Sequence, residues 1–124
     1  MDAPAPSTAA PKGPRNLAVP LAAWLREQGF TATEHHQGTT VAAHWVGPQG
    51  ERFQFDYAWV AGPVPSATCW LDVLYPGQRH AEMLFKGQQV RRLKDARLML
   101  TGNVRYANAR TLGKLARLPL ATTP

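Results

Sequence analysis

The stretch Phe53–Val60 alternates with period two: Phe53, Phe55, Tyr57 and Trp59 fall on one side, Gln54, Asp56, Ala58 and Val60 on the other. Successive side chains of a β-strand point to opposite faces, whereas a helix would scatter aromatics at this spacing around its axis. The stretch therefore reads as a strand with one aromatic face. Four exposed aromatics would exceed the apolar patch that most monomers tolerate, so the expectation is a core face covered by a helix. The competing reading is a platform on which unpaired bases stack.

The flanking sequence supplies partners for this strand. Thr39–Val46 places Val41, Ala43 and Trp45 on one face, and Gly47-Pro48-Gln49-Gly50 joins it to Glu51–Val60 as a hairpin. Phe30–His36 reads as a further strand, with a turn at Gln37-Gly38 and an edge open to pairing. Pro63 and Pro65 mark a loop. Ala67–Tyr75 reads as a central strand, because Cys69, Leu71, Val73 and Tyr75 share one face while Trp70, Asp72 and Leu74 share the other.

Upstream, Leu21, Trp24 and Leu25 recur at helical spacing within Asn16–Gly29, with Pro20 in the first turn and Gly29 as cap. Trp24 is expected in the core. Residues 1–14 are rich in Pro and Ala, with no large apolar side chain after Met1, and read as a flexible tail. Downstream, Ala81–Lys86 fits a short strand or a helix entrance. Gln88–Thr101 fits a helix capped by Gly102, Val104-Arg105-Tyr106 a short strand, and Asn108–Leu118 a last helix stopped before Pro119. Together these predict one α/β domain over residues 15–119, with a frayed end at 120–124. Its sheet is mixed and built on an antiparallel meander, with the first helix and the basic C-terminal helices packed on it.

The chain of 124 residues carries a formal net charge of +6 and a single cysteine, Cys69. One cysteine allows no intrachain disulfide, and a reducing, cytoplasmic setting is expected. No apolar run is long enough to span a membrane. The charge is uneven. Between Lys86 and Arg117 the only acid is Asp95, whereas the first half of the chain is nearly balanced. Such a block points to an anionic partner, either nucleic acid (DNA or RNA) or an acidic protein surface, with a solvated basic face as the plain alternative. Arg91, Lys94 and Arg97 at i, i+3 spacing would form one ridge of a helix, and Arg92, Arg105 and Arg110 extend the candidate phosphate-binding set.

Asp56 and Asp72 belong to neighbouring strands. The runs Phe55-Asp56-Tyr57-Ala58-Trp59, Leu71-Asp72-Val73-Leu74 and Gly77-Gln78-Arg79-His80, followed by Lys94-Asp95-Ala96-Arg97, Gly102 and Val104-Arg105-Tyr106, resemble the PD-(D/E)xK nuclease superfamily, in particular its very-short-patch-repair-like branch. The resemblance implies a restriction-endonuclease-like fold: a helix, a three-strand meander, a helix and a further strand. It also implies Asp56 and Asp72 as Mg²⁺ ligands and catalytic acids, with His80 as acid or base. Leu74 stands where that family has a catalytic lysine or a second acid, so the implied nuclease is a degenerate one. Three functions are carried forward: a basic nucleic-acid-binding protein with impaired catalysis, an active metal-dependent nuclease, and an inhibitor or adaptor that docks on a protein partner.

Overall fold

In a computed structural model, the described residues are 13–116, and the structural statements below concern them. Helix α1 (Ala18–Glu27) leads into strands β1 (Thr31–His35), β2 (Thr40–Val46), β3 (Arg52–Val60), β4 (Ser66–Leu74) and β5 (Glu82–Gln89), and helix α2 (Leu93–Ala116) follows. The strands form one five-stranded sheet in the order β1-β2-β3-β4-β5, and every neighbouring pair is antiparallel. Each strand pairs with its neighbour in sequence through a short connection, so no crossover arises and no parallel pair can form. The expected mixed sheet is corrected to a wholly antiparallel meander among the described residues.

Both helices lie on the same face of the sheet, and the aromatic alternation explains why. Phe53, Phe55 and Tyr57 are 2%, 0% and 1% exposed, which decides for core over platform. They pack with Val41 and Ala43 from β2 and with Cys69, Leu71 and Val73 from β4. Leu21, Ala22 and Leu25 of α1 cover one part of this face, and Ala96, Leu100 and Ala107 of α2 cover another. The sulfurs of Cys69 and Met99 meet at 4.0 Å across the α2 contact. Among the described residues, no helix covers the opposite face, which carries Gln54, Asp56, Trp70 and Asp72.

Helix α1 starts without a side-chain cap at Leu17. Its first N–H groups are served from elsewhere: Leu17 N donates to Tyr57 Oη at 2.9 Å, and Ala18 N to Asn16 Oδ1 at 2.9 Å. Asn16 Nδ2 in turn donates to Gly38 O at 2.8 Å, which ties the helix start to the β1–β2 turn. The helix ends at Gly29, whose φ of +98° is the left-handed conformation that glycine adopts without penalty. At that end Arg26 Nε and Nη2 both donate to Ala32 O, placing a charged side chain over edge strand β1.

The C-terminal expectations need three corrections. Gln88 and Gln89 end strand β5 rather than begin a helix. Val104-Arg105-Tyr106 is helical, so the closing strand implied by the nuclease resemblance does not form. The two expected helices are one helix of 24 residues. No proline interrupts it, and the buried positions Ala96, Leu100, Ala107 and Thr111 keep a single stripe along its length. Gly102 costs about 1 kcal/mol in a helix interior, too little to break an element anchored on both sides. Asn103 and Thr111 satisfy their side chains on the carbonyls of Met99 and Ala107, one turn back.

The N-terminal boundary shifts as well. Pro14 is buried and its carbonyl accepts from Trp59 Nε1 at 2.9 Å, so the packed domain begins before residue 15. The remainder of the expected tail (1–12), the end of the last expected helix beyond Ala116 and the expected frayed end lie outside the described residues. Arg91 and Arg92 precede α2, so the expected Arg91–Lys94–Arg97 helical ridge is corrected to a loop arginine followed by two helical cations.

Candidate functional site

Two chemically opposite surfaces emerge, and they lie on opposite sides of the sheet. On the open face, β3 and β4 bring Asp56 and Asp72 together as the sequence implied. Asp72 stands opposite Gln54 and Asp56 opposite Trp70, so the two carboxylates are diagonal cross-strand neighbours. Gln54 Nε2 donates to Asp56 Oδ1 at 3.3 Å. Partial burial raises the Asp56 carboxyl above its ordinary range; the Gln54 hydrogen bond opposes that, and the charge of Asp72 adds to it. Asp72 Oδ1 is buried without a hydrogen-bond partner among the described residues. A shallow cleft of about 280 Å³ adjoins Asp56, lined also by His35, His36 and Trp70.

His80 does not join this pair. It lies exposed in the β4–β5 connection and shares no hydrogen bond or ion pair with either aspartate among the described residues. Among the described residues no group of three or more His, Cys, Asp or Glu is arranged to hold a metal ion.

The basic surface is on the helix side. Arg91 and Arg92, with Arg15 and Leu93, line a cleft of about 410 Å³ where the chain enters α2. Arg92 is held by Asp95, its Nε 3.2 Å from Oδ2. Lys94 and Arg97 follow, both exposed, and Arg97 sits over the Trp24 ring with its guanidinium carbon 5.6 Å from the centroid. Arg105 is exposed two turns further on and borders a cleft of about 230 Å³ between the helices. At 1.5 Å rise per residue, Leu93 and Arg105 are about 18 Å apart along α2.

Arg110 is different. It pairs with Glu82 on β5 and lies over the Tyr75 ring at 4.8 Å, and these contacts, the Glu82 hydrogen bond first, raise its pKa further. It fastens α2 to the sheet edge, on the flank away from Lys94 and Arg97. The candidate phosphate-binding set is thus divided: Arg91 and Arg92 lie at the entrance to α2, Lys94 is exposed in its first turn, Arg97 and Arg105 border the cleft toward α1, and Arg110 ties the helix to the sheet edge.

Sequence reasoning missed Arg15, Gln28, Trp45 and Thr101. Arg15 adjoins the stretch read as tail. The others become neighbours only when α1 and α2 pack side by side, a relation that no local pattern encodes.

These features define a small helix–meander–helix domain with a carboxylate pair on its open sheet face and cations along its last helix. No family model, curated protein or solved structure matches the chain. Among the described residues, no helix is long and apolar enough to cross a membrane.

Proposed function

We propose that the protein binds nucleic acid through the basic flank of α2 and has little or no catalytic activity of its own. One observation carries the reading: Arg15, Arg91 and Arg92 line the cleft where the chain enters α2, Lys94 is exposed in the first turn of that helix, and Arg97 and Arg105 border the cleft between α1 and α2, while the nearby acid Asp95 is engaged by Arg92. Cations spread over about 18 Å can contact several successive phosphates. The acids implied as catalytic face the other side of the sheet, so phosphates held by α2 are not presented to them. The expected restriction-endonuclease-like fold has no support in the closing element, since Val104-Arg105-Tyr106 is helical and the described strands form an uninterrupted antiparallel meander.

The test is fluorescence anisotropy with labelled single-stranded DNA, duplex DNA and RNA across a salt series. The expected result is binding whose logarithm falls linearly with log salt. Combined Lys94→Gln, Arg97→Gln and Arg105→Gln substitutions should reduce the slope by roughly 0.7 to 0.9 for each phosphate that is no longer neutralised. No binding at low salt would overturn the proposal and favour docking on an acidic protein surface.

A second reading, metal-dependent cleavage, is favoured by the juxtaposed Asp56 and Asp72 and by the unpartnered Asp72 Oδ1. Two carboxylates suit Mg²⁺, which commonly takes one or two from protein and fills its shell with water and substrate phosphate. Leu74 and His80 add no donor beside them. Mg²⁺-dependent cleavage lost in both Asp56→Ala and Asp72→Ala would establish this reading, and purified protein without cleavage would dismiss it.

A further inference from the structure

The cleft between α1 and α2 differs from the rest of the basic flank. Trp24 and Gln28 come from α1, Phe30 from the residue leading into β1, Trp45 from β2, and Leu100, Thr101, Val104 and Arg105 from α2. Its walls are aromatic and aliphatic, its rim is cationic, and none of its lining residues is acidic. The Trp45 ring is held against two phenyl rings, its centroid 5.5 Å from that of Phe30 and 5.5 Å from that of Phe53. Trp24 is fixed under Arg97. Two half-buried indoles therefore line the opening.

Polar groups that could read a planar ring are available. Neither the Trp45 indole N–H nor the Gln28 side-chain amide has a hydrogen-bond partner among the described residues. Gly29 borders that N–H, its Cβ position 3.5 Å from Trp45 Nε1. At about 230 Å³ the cleft is smaller than the roughly 300–1,000 Å³ of pockets that take drug-sized ligands. It suits one planar ring rather than an extended ligand.

From this combination we infer that the α1–α2 cleft takes an unpaired nucleobase, inserted beside Trp24 and Trp45 while Arg97 and Arg105 hold the flanking phosphates. The inference rests on the nucleic-acid reading above and sharpens it. A base in this cleft must be unstacked from its neighbours, so the preferred ligand is single-stranded. Charge complementarity selects this occupant over an apolar side chain from a partner protein: a cleft bordered by Arg97 and Arg105 and lined by no acid fits a ring that carries phosphates on either side.

The experiment compares fluorescein-labelled oligothymidylate with an abasic oligonucleotide of equal length, at the same salt, by anisotropy. The two probes share their phosphates and differ only in bases. The wild-type protein is expected to bind oligothymidylate about 5- to 150-fold more tightly, the range of one base–aromatic stack. In a Trp24→Leu variant that keeps the wild-type circular dichroism spectrum, most of that ratio should disappear while abasic binding stays within about twofold. Equal affinity for the two probes in the wild type would overturn the inference and leave phosphate binding intact. A ratio unchanged by Trp24→Leu would move the base to another surface and overturn the assignment to this cleft. Binding of neither probe at low salt would overturn the nucleic-acid reading itself. The wild-type comparison needs no variant, so a misfolded Trp24→Leu protein would not remove the test.

Discussion

Tyr57→Phe isolates the joint on which α1 is seated. Tyr57 is 1% exposed, and its hydroxyl accepts the backbone N–H of Leu17, also 1% exposed, at 2.9 Å. Burial, with this hydrogen bond opposing it, raises the phenol pKa, so the group stays neutral at all ordinary pH. Phenylalanine keeps the ring and its packing against Cys69 and leaves no cavity larger than a hydroxyl. What changes is the Leu17 N–H, which is left buried without an acceptor. Such an orphan costs about 1–3 kcal/mol. For a domain near 100 residues, each kcal/mol moves the thermal midpoint by about 4–8 °C, so a fall of at least several degrees is expected. Urea unfolding followed by circular dichroism should show a lower midpoint with an unchanged m-value, because the surface exposed on unfolding is the same. Exchange of the Leu21 amide, bonded to Leu17 O, should accelerate with it. The exposed Tyr106 gives the control: Tyr106→Phe should stay within about 0.5 kcal/mol. A Tyr57→Phe shift no larger than that control would refute the claim that the sheet caps α1.

Three further outcomes follow from the same structure. Phe55→Ala, at a fully buried position edge-on to Phe85, should cost about 3–5 kcal/mol in chemical denaturation; a stable variant that had lost only nucleic-acid binding would restore the exposed-platform reading. Asp56→Asn should stabilise the protein at neutral pH. Below about pH 3.8 both states hold the Asp56 proton, between there and the raised native pKa only the native state does, and above it the charge is carried in full, so stability falls as pH rises through that window and the variant should lack this component; urea midpoints at neutral and acid pH that differ equally in variant and wild type would contradict it. Cys69, fully buried with its thiol pushed up to about 12 by desolvation, should react with a thiol reagent at the rate of unfolding rather than at the rate of a free thiol, which a denaturant-dependent labelling series would reveal.

The meander was legible because its signals are local. Alternation in Phe53–Val60 and Ala67–Tyr75, and the breaker run at Gly47–Gly50, specify strands and hairpins without reference to anything distant. The burial of Phe53, Phe55 and Tyr57 under a helix followed from patch size alone. The C-terminal third was misread for the opposite reason. Gly102, Asn108 and the β-branched Val104 each favour a break when weighed singly, and what overrides them is a stripe of buried contacts from Ala96 to Thr111 that exists only once the sheet is there to receive it. Strand β5 was ambiguous because its pairing with β4 is interrupted by two register shifts, which spoil the alternation in Ala81–Gln89.

The candidate site divides along the same line. The pairing of Asp56 with Asp72 is a consequence of strand adjacency and was visible in the sequence. The basic block was visible as a count but not as a surface. A helix distributes its cations by angle, and whether Arg110 faces the same way as Lys94 depends on which side of α2 meets β5. Arg110 pairs with Glu82 and so belongs to the fastening of the helix, while Arg97 and Arg105 look toward α1. That partition has a consequence for electrostatics. With Arg110 paired to Glu82 and the acid pair on the far face of the sheet, Arg97 and Arg105 border an aromatic cleft that none of the acids among the described residues lines. An anionic strand drawn to that cleft by long-range attraction would meet indoles there, and attraction and stacking would act on the same ligand.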